Sequence, residues 1–393
     1  MINVGTGFSK SVSLEKAALE AGVQALDRAG LSKADTLLVF ASLKKPAGWV
    51  TALKKLKSLA GAKTVVGGSA YGVFNNRSEV EQGTGVAVMA FDRISENISP
   101  FLIRHLQESN FRAGQKLAHE IRDWDSQPAL SLIFPDSFSF RHDAFFEGLE
   151  SEGIFHPVAG GLTSETGNRQ KTFQWGDGKI THDAVSGLTF GEPFEFEIGM
   201  TQSCQPFGDP LQITRSQGNL IYEIEGRPAY DIFLELVSQL RLEDSQEVFN
   251  RLFLGLPLEN FQTDFTHSHY LVRNILGVNA KKGALACASP VEEGDYVTFA
   301  LRDPLRARKD LVMMLQDLKE KTEGQTPAFG FYFNCCARGE SLYENPGEDT
   351  GLIREYFPGL PFIGFFTFGE IGPVGEVNHL HHYSGILALG FEP

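Results

Sequence analysis

The chain predicts an α/β fold (mixed α+β), built as mixed β-sheets faced by helices in two related domains. Three observations predict it. Short apolar runs rich in Phe, Ile and Val, bounded by Gly and Pro, recur along the sequence at strand length. Between them lie segments with helical apolar spacing. And one order of elements appears three times: an apolar strand, a helical segment, a strand ending in a Gly-containing turn, then a strand. The copies use residues 37–41, 65–72 and 85–91; then 130–134, 158–164 and 184–190; then 328–333, 362–369 and 384–390. Connections of unequal length favour duplicated α/β units over a solenoid.

The elements follow in order. A helix over 14–29 starts at Ser13 as N-cap and stops at Gly30. A strand over 36–41 precedes a helix over 47–59, whose Lys54, Lys55 and Lys57 form a solvated face. A strand over 64–66 runs into Gly67-Gly68-Ser69-Ala70-Tyr71-Gly72, and a strand over 85–91 pairs with it. Residues 102–105 read as strand or loop. A helix over 114–123, a strand over 129–134, a helix over 141–152 and a strand over 157–162 come next. Residues 171–175 and 183–190 read as a hairpin around Gly176-Asp177-Gly178-Lys179. The pattern pauses near Gly191-Glu192-Pro193, which places a domain boundary between 1–192 and 193–393. Beyond it lie strands over 196–204 and 212–224 and a helix from Arg227 to about Leu240, with Pro228 in its first turn. A looser stretch over 245–264 leads to strands over 269–275, 284–288 and 295–301, then a helix over 304–323. The last part carries strands over 328–333, 361–366 and 384–390, with a helix over 349–356.

Composition narrows the function. The chain has 393 residues, 42% hydrophobic and 21% charged, as in folded globular proteins. Its 32 Phe fall largely inside the short runs, which suits an aromatic core between layers. The net charge of −14 repels phosphate backbones and argues against nucleic acid as a partner. No apolar stretch reaches membrane-spanning length, and Met1 to Lys10 lacks the pattern of a secretory signal. Four cysteines, two of them adjacent, form no disulfide framework, so the expected location is the cytoplasm.

Chemistry-bearing residues gather at the ends of the repeated strands, where small-molecule sites are often built. Cys335-Cys336-Ala337-Arg338-Gly339 follows a buried strand. A thiol near a guanidinium is a candidate for reactivity, and Arg338 is a candidate for holding a ligand carboxylate. Adjacent cysteines on a strand also point to opposite faces, so one of them can be plain core. In Gly369-Glu370-Ile371-Gly372-Pro373 the carboxylate of Glu370 can accept a ligand ammonium, pair with Arg338, or close its own turn by bonding backbone N–H groups. Opposite charges side by side would suit a zwitterion. His379 and His381 share a strand face, with His382 beside them, an arrangement open to metal or haem ligation or to a hydrogen-bonded strand entry. Ser69, Tyr71, Thr163 and Glu165 occupy the matching turns of the first two copies and can complete a pocket. Neither a nucleophile elbow nor a phosphate-binding glycine loop is present.

The sequence also resembles the FIST family. The likeness rests on the Cys335 to Gly339 turn, on Gly364-Phe365-Phe366-Thr367-Phe368-Gly369-Glu370-Ile371-Gly372-Pro373, on Asn378-His379-Leu380-His381, and on 36–42, 65–73 and 83–91 in the first half. The resemblance implies an intracellular signal-transduction sensory domain that binds a small zwitterionic or anionic metabolite such as an amino acid. A separate signalling protein, such as a kinase or cyclase, would read the occupancy. The ligand-binding candidates are Cys335, Cys336, Arg338, Gly339, Gly369, Glu370, His381, Ser69, Tyr71 and Thr163, with no metal. Two alternatives stand beside this one. The first is a haem-based gas sensor using a C-terminal His, as some FIST-containing proteins resemble. The second is a cysteine-dependent enzyme.

Overall fold

The computed structural model of the protein describes residues 2–42, 48–92, 97–167, 170–176, 178–241, 244–258 and 269–392. Local signals act where the sequence places them. β1 (Val4–Ser9) leads into α1 (Leu14–Ala29). Ser13 caps the helix by accepting from the Lys16 N–H at 3.4 Å, and Gly30 ends it in the left-handed region at φ 66°. The first copy continues with β2 (Thr36–Ser42), α2 (Trp49–Ala60) and β3 (Thr64–Ala70). A small hairpin, β4 (Gly72–Asn75) with β5 (Glu79–Glu81), and then β6 (Gly85–Phe91) complete it. The second copy repeats this order: β7 (Ile98–Arg104), α3 (Asn110–Arg122), β8 (Pro128–Pro135), α4 (His142–Leu149), β9 (Val158–Gly161), the hairpin β10 (Gln174–Gly176) with β11 (Lys179–Thr181), and β12 (Ala184–Gly191).

The third copy opens with β13 (Glu195–Gln202) and is then interrupted by an insertion. The inserted elements are β14 (Cys204–Gln217), β15 (Leu220–Ile224), β16 (Arg227–Pro228), α5 (Ala229–Gln239), α6 (Ser245–Arg251), β17 (Leu252–Pro257), β18 (Tyr270–Asn279), β19 (Ala284–Cys287) and β20 (Tyr296–Arg302). The copy resumes with α7 (Pro304–Lys321), β21 (Phe329–Cys335), α8 (Gly339–Tyr343), α9 (Glu348–Tyr356), β22 (Phe362–Thr367), β23 (Glu370–Val374), β24 (Val377–His381) and β25 (Ser384–Phe391).

The chain separates into two units. The larger gathers Met1–Met200, Val312–Leu380 and Ser384–Pro393; the smaller holds Thr201–Leu311 and His381–Tyr383. The second copy ends at Gly191, beside the place where the sequence puts its division. All three copies fall in the larger unit, because their sheets share strands and one core.

That sharing follows a rule. The three six-stranded sheets run β1-β6-β2-β3-β10-β11, β7-β12-β8-β9-β23-β24 and β13-β25-β21-β22-β4-β5. Each is four strands of one copy plus the hairpin of another. The first sheet takes the second copy's hairpin, the second takes the third's, and the third takes the first's. In every sheet the two central strands are parallel, β2 with β3, β8 with β9 and β21 with β22. The helical connection between them requires this.

The ladders also fix which residues correspond. Ser42 lies opposite Ala70, Asp136 opposite Thr163, and Cys335 opposite Thr367. Two residues earlier stand Phe40, Phe134 and Phe333, which meet in the shared core. Phe134 is 5.0 Å from Phe40 and 5.9 Å from Phe333 between ring centroids. The Phe-rich runs are therefore the inner faces of three sheets, as an aromatic core demands. The outer face of the first sheet packs on α1 and α2, and that of the second on α3 and α4.

Three sequence expectations change. β12 pairs with β7 and β8, so the hairpin expected between 171–175 and 183–190 is not formed. The turn beside Gly178 joins β10 to β11 instead, and Asp177 lies outside the described residues. β6 pairs with β1 and β2 rather than with β3, whose free edge is taken by β10. The stretch 212–224 is two strands, β14 and β15, separated at Gly218. In each case the local pattern names the strand, but pairing depends on a distant copy.

The smaller unit is an antiparallel sheet in the order β14-β20-β17-β18-β19-β15-β16. A further pairing of β14 with β15 closes six of these strands into a ring. Its core includes Ile213, Ile224, Phe233, Leu254, Leu285 and Phe299.

Candidate functional site

The turns that end β3, β9 and β22 interlock within the larger unit. Ser69 Oγ donates to the Ser164 carbonyl at 3.1 Å and accepts from the Phe173 N–H at 3.0 Å. The Tyr71 N–H donates to Ser164 Oγ at 2.7 Å, and Ser164 Oγ donates to the Phe366 carbonyl. The Leu162 N–H reaches the Gly369 carbonyl at 2.8 Å. Close approach requires small residues here. A Cβ on Gly68 would lie 2.3 Å from the Thr163 methyl, and one on Gly161 2.4 Å from the Thr367 methyl. The sequence-predicted residues Ser69, Tyr71, Thr163 and Gly369 are thus brought together, though Ser69 and Thr163 are buried in the joint itself. Thr163 Oγ1 bonds the Pro135 carbonyl, Thr172 and Gln174, and Asp136 binds Thr172 and Ser139 beside it.

Arg338 does not reach out for a ligand. Its side chain is fully buried and forks onto Asp349 of α9, with Nε to Oδ2 at 2.8 Å and Nη2 to Oδ1 at 3.1 Å. Nη2 also donates to Tyr343 Oη at 3.0 Å, and Tyr332 Oη donates to Asp349 Oδ2 at 2.9 Å. Burial alone would raise the Asp349 carboxyl, but the adjacent guanidinium outweighs it and holds the group below its usual range. A buried guanidinium needs a counter-charge inside the protein. Asp349, eleven residues along, meets that need. The expected role of Arg338 in holding a ligand carboxylate is therefore replaced by a structural one. It ties the Cys335 to Gly339 turn to α9.

Glu370 is likewise fully buried. Its carboxyl accepts from the Ser384 N–H at 3.0 Å and the Ser384 hydroxyl at 2.7 Å, and bonds the Thr367 hydroxyl. Burial, with Cys335 adding to it, pushes this carboxyl well above the usual range, against the opposing bonds from Thr367 and Ser384. The expected pair with Arg338 is absent, and Glu370 takes the turn-closing part instead. Cys335 is buried at the end of β21.

The open part of this region lies one residue further on. Cys336 and Tyr71 are half-buried. The Tyr71 phenol is pushed up by burial and then by Glu81 and Cys336, which places both groups within electrostatic reach of the phenol. Glu81 comes from β5, the first copy's hairpin, which pairs through β4 with β22 of the third. Its Oε1 accepts from the Glu340 N–H at 2.8 Å. Gly339 makes the space, since a Cβ there would stand 2.1 to 2.4 Å from the Glu81 carboxyl atoms. Burial pushes Glu81 up to about 7; the Glu340 N–H opposes this, and Glu79, Glu340 and Asp349 add to it. Glu79 accepts from the Gly347 N–H and the Thr350 hydroxyl, both at 2.9 Å. Burial raises its carboxyl too. Two carboxyls on one face of β5 thus hold the first turns of α8 and α9.

Sequence reasoning missed Glu79 and Glu81. The alternation in Glu79-Val80-Glu81 signals a strand with both carboxylates on one side. Nothing in it says that this side meets the Gly339–Glu340 turn. The arrangement is acidic, half-open and equipped with a phenol and a thiol. It attracts a cation.

Comparison with known proteins agrees with the resemblance. Residues 35–227 match the FIST N domain family and residues 229–373 the FIST C domain family. The chain belongs to the FIST family. FIST domains are sensory domains of signal transduction. Similar full-length relatives are an uncharacterized protein of Mycobacterium tuberculosis, 26% identical over 389 residues and 99% of both chains, and one of Mycobacterium bovis, 24% identical over 388 residues, 99% of this chain and 98% of its own. An uncharacterized protein of Methanocaldococcus jannaschii is 22% identical over 270 residues, 66% of this chain and 50% of its own.

In this FIST protein the junction between the two matched domains falls next to α5, inside the insertion. His381 is buried at the end of β24 and groups with the smaller unit. The larger unit has a cavity of about 790 Å³ beside Tyr356 and Phe357 and another of about 350 Å³ beside His156. Neither is lined by His379, His381 or His382.

Proposed function

We propose that this FIST protein senses a small metabolite carrying an ammonium group, amino acids among them, and that a separate signalling protein such as a kinase or cyclase reads its occupancy. The carrying observation is Glu81. It is a partly buried carboxyl with no cationic partner among the described residues, set beside Tyr71 and Cys336 in space that Gly339 leaves open. An ammonium would supply the missing counter-charge, Tyr71 a further hydrogen bond, and burial of the ligand would exclude water. The anionic half of a zwitterion would not use Arg338, which is committed to Asp349.

Signalling requires that the ligand prefer one of two conformations. Glu79 and Glu81 provide a physical route, because they hold the starts of α8 and α9. A ligand that draws Glu81 away from the Glu340 N–H loosens that hold. The four cysteines remain thiols, which fits the cytoplasm. No helix among the described residues is long and apolar enough to cross a membrane.

The test is a thermal-shift and calorimetric screen with amino acids, diamines and matched acids that lack the amine. Amine-bearing compounds should stabilise the protein, and Glu81→Gln should remove the effect. Stabilisation by the amine-free acids alone, or by no compound at millimolar concentration, would sink the reading.

A further inference from the structure

A second cavity, remote in sequence from the Glu81 cluster, lies in the second copy. It encloses about 350 Å³ between the C-terminal ends of α3 and α4, and its lining includes Ala118, Ile121, Trp124, Leu149, Ile154 and His156. Its origin is visible in helix length. α2 has 12 residues but α4, its counterpart, has 8. Four residues of helix are about 6 Å. In the first copy the corresponding place is closed, with the Ala34 N–H on the Ala60 carbonyl at 2.9 Å and the Lys33 side chain packed over Gly61. In the second copy the chain from Glu150 to Pro157 loops past the missing turn and leaves the space open.

The cavity has one buried polar group. His156 is 7% exposed. Its Nε2 is 2.9 Å from Ser131 Oγ, which lies 2.7 Å from Thr189 Oγ1. The other ring nitrogen, Nδ1, has no hydrogen-bond partner among the described residues. Burial lowers the ring to about 4, so it is neutral and offers a single donor or acceptor. At the rim, Arg122 is paired with Glu152 at 2.6 Å, and Ile154 is 70% exposed at the mouth. Aliphatic walls, an indole and one buried neutral ring, with the more exposed Asp125, Ser126 and Gln127 also in the lining, match the usual plan of a small-molecule pocket at this volume. A charged ligand would find no buried counter-charge.

We infer that this cavity is a binding site for a small uncharged molecule with a flat aromatic or heteroaromatic body and one hydrogen-bonding group, received by His156. The inference is independent of the ammonium site. The experiment uses the full chain and three probes, namely indole, benzimidazole and benzamide, and follows the histidine ring nitrogens by long-range ¹H–¹⁵N NMR. At least one probe should shift the His156 nitrogens saturably. Ala118→Phe, which fills the cavity, and Ile154→Glu, which charges its mouth without disturbing the core, should each weaken that binding about tenfold or more. Amine binding to the Glu81 cluster should be unchanged in both variants. No His156 shift with any probe, or equal binding in the folded Ile154→Glu variant, overturns the inference.

Discussion

Removing the counter-charge of Arg338 tests the account of the site most directly. Asp349→Ala leaves a fully buried guanidinium with only the Tyr343 hydroxyl remaining from the Asp349–Tyr343 pair that now holds its fork. It also removes the shorter of two bonds made by the buried Tyr332 hydroxyl, leaving Asn334 Oδ1 at 3.2 Å as its acceptor. Breaking a buried ion pair from one side costs about 3–5 kcal/mol. For a folding unit of this size that corresponds to a melting point about 10 °C lower. The double variant Arg338→Met, Asp349→Leu removes both charges and keeps the volume, so it should recover most of the loss. The assay is denaturant and thermal unfolding followed by circular dichroism, with the four proteins forming a double-mutant cycle. The turn from Cys335 to Gly339 is anchored by this pair, so Asp349→Ala should also speed alkylation of Cys336. A loss below about 1 kcal/mol in the single variant, or a double variant as unstable as the single, would show that the pair is not desolvated as described.

Three further outcomes follow from the same geometry. Gly339→Ala should fold normally but lose amine binding, because the new methyl would displace the Glu81 carboxyl, a movable side-chain end, from its place; unaltered binding by calorimetry would count against that site. Glu370→Ala should cost about 1–3 kcal/mol by leaving the Ser384 N–H unpaired, and Glu370→Gln should cost less, because its amide oxygen can still accept that bond; urea melts distinguish them. Glu81 has a folded-state pKa of about 7, raised from 4.5, so its contribution to stability is fully present below pH 4.5 and is lost as pH rises through 7. The effect is about 3 kcal/mol at most, and less because the group is partly solvated. Glu81→Gln should flatten this part of the stability profile, while amine affinity in the native protein should rise through the same pH window as the carboxyl ionises.

Much was legible in the chain itself. Ser13 and Gly30 bound the first helix, the Phe runs marked inner faces, and the threefold order of elements was present in the residue pattern. These signals are local: a cap, a period, a turn residue. The convergence of Ser69, Tyr71 and the third copy's turns also followed from treating the copies as equivalent.

The sequence could not say which copy each hairpin would join. Gln174 lies against Gly68, Glu370 against Gly161 and Phe74 against Gly364, and every one of these pairings crosses from one copy to another. A strand's own alternation fixes its faces but not its neighbour. That exchange carries Glu81 to the Glu340 N–H and leaves Arg338 to find Asp349. The side chains were written in the sequence; their partners were set only when three sheets closed on one core, where a buried charge must be matched by whatever lies within reach.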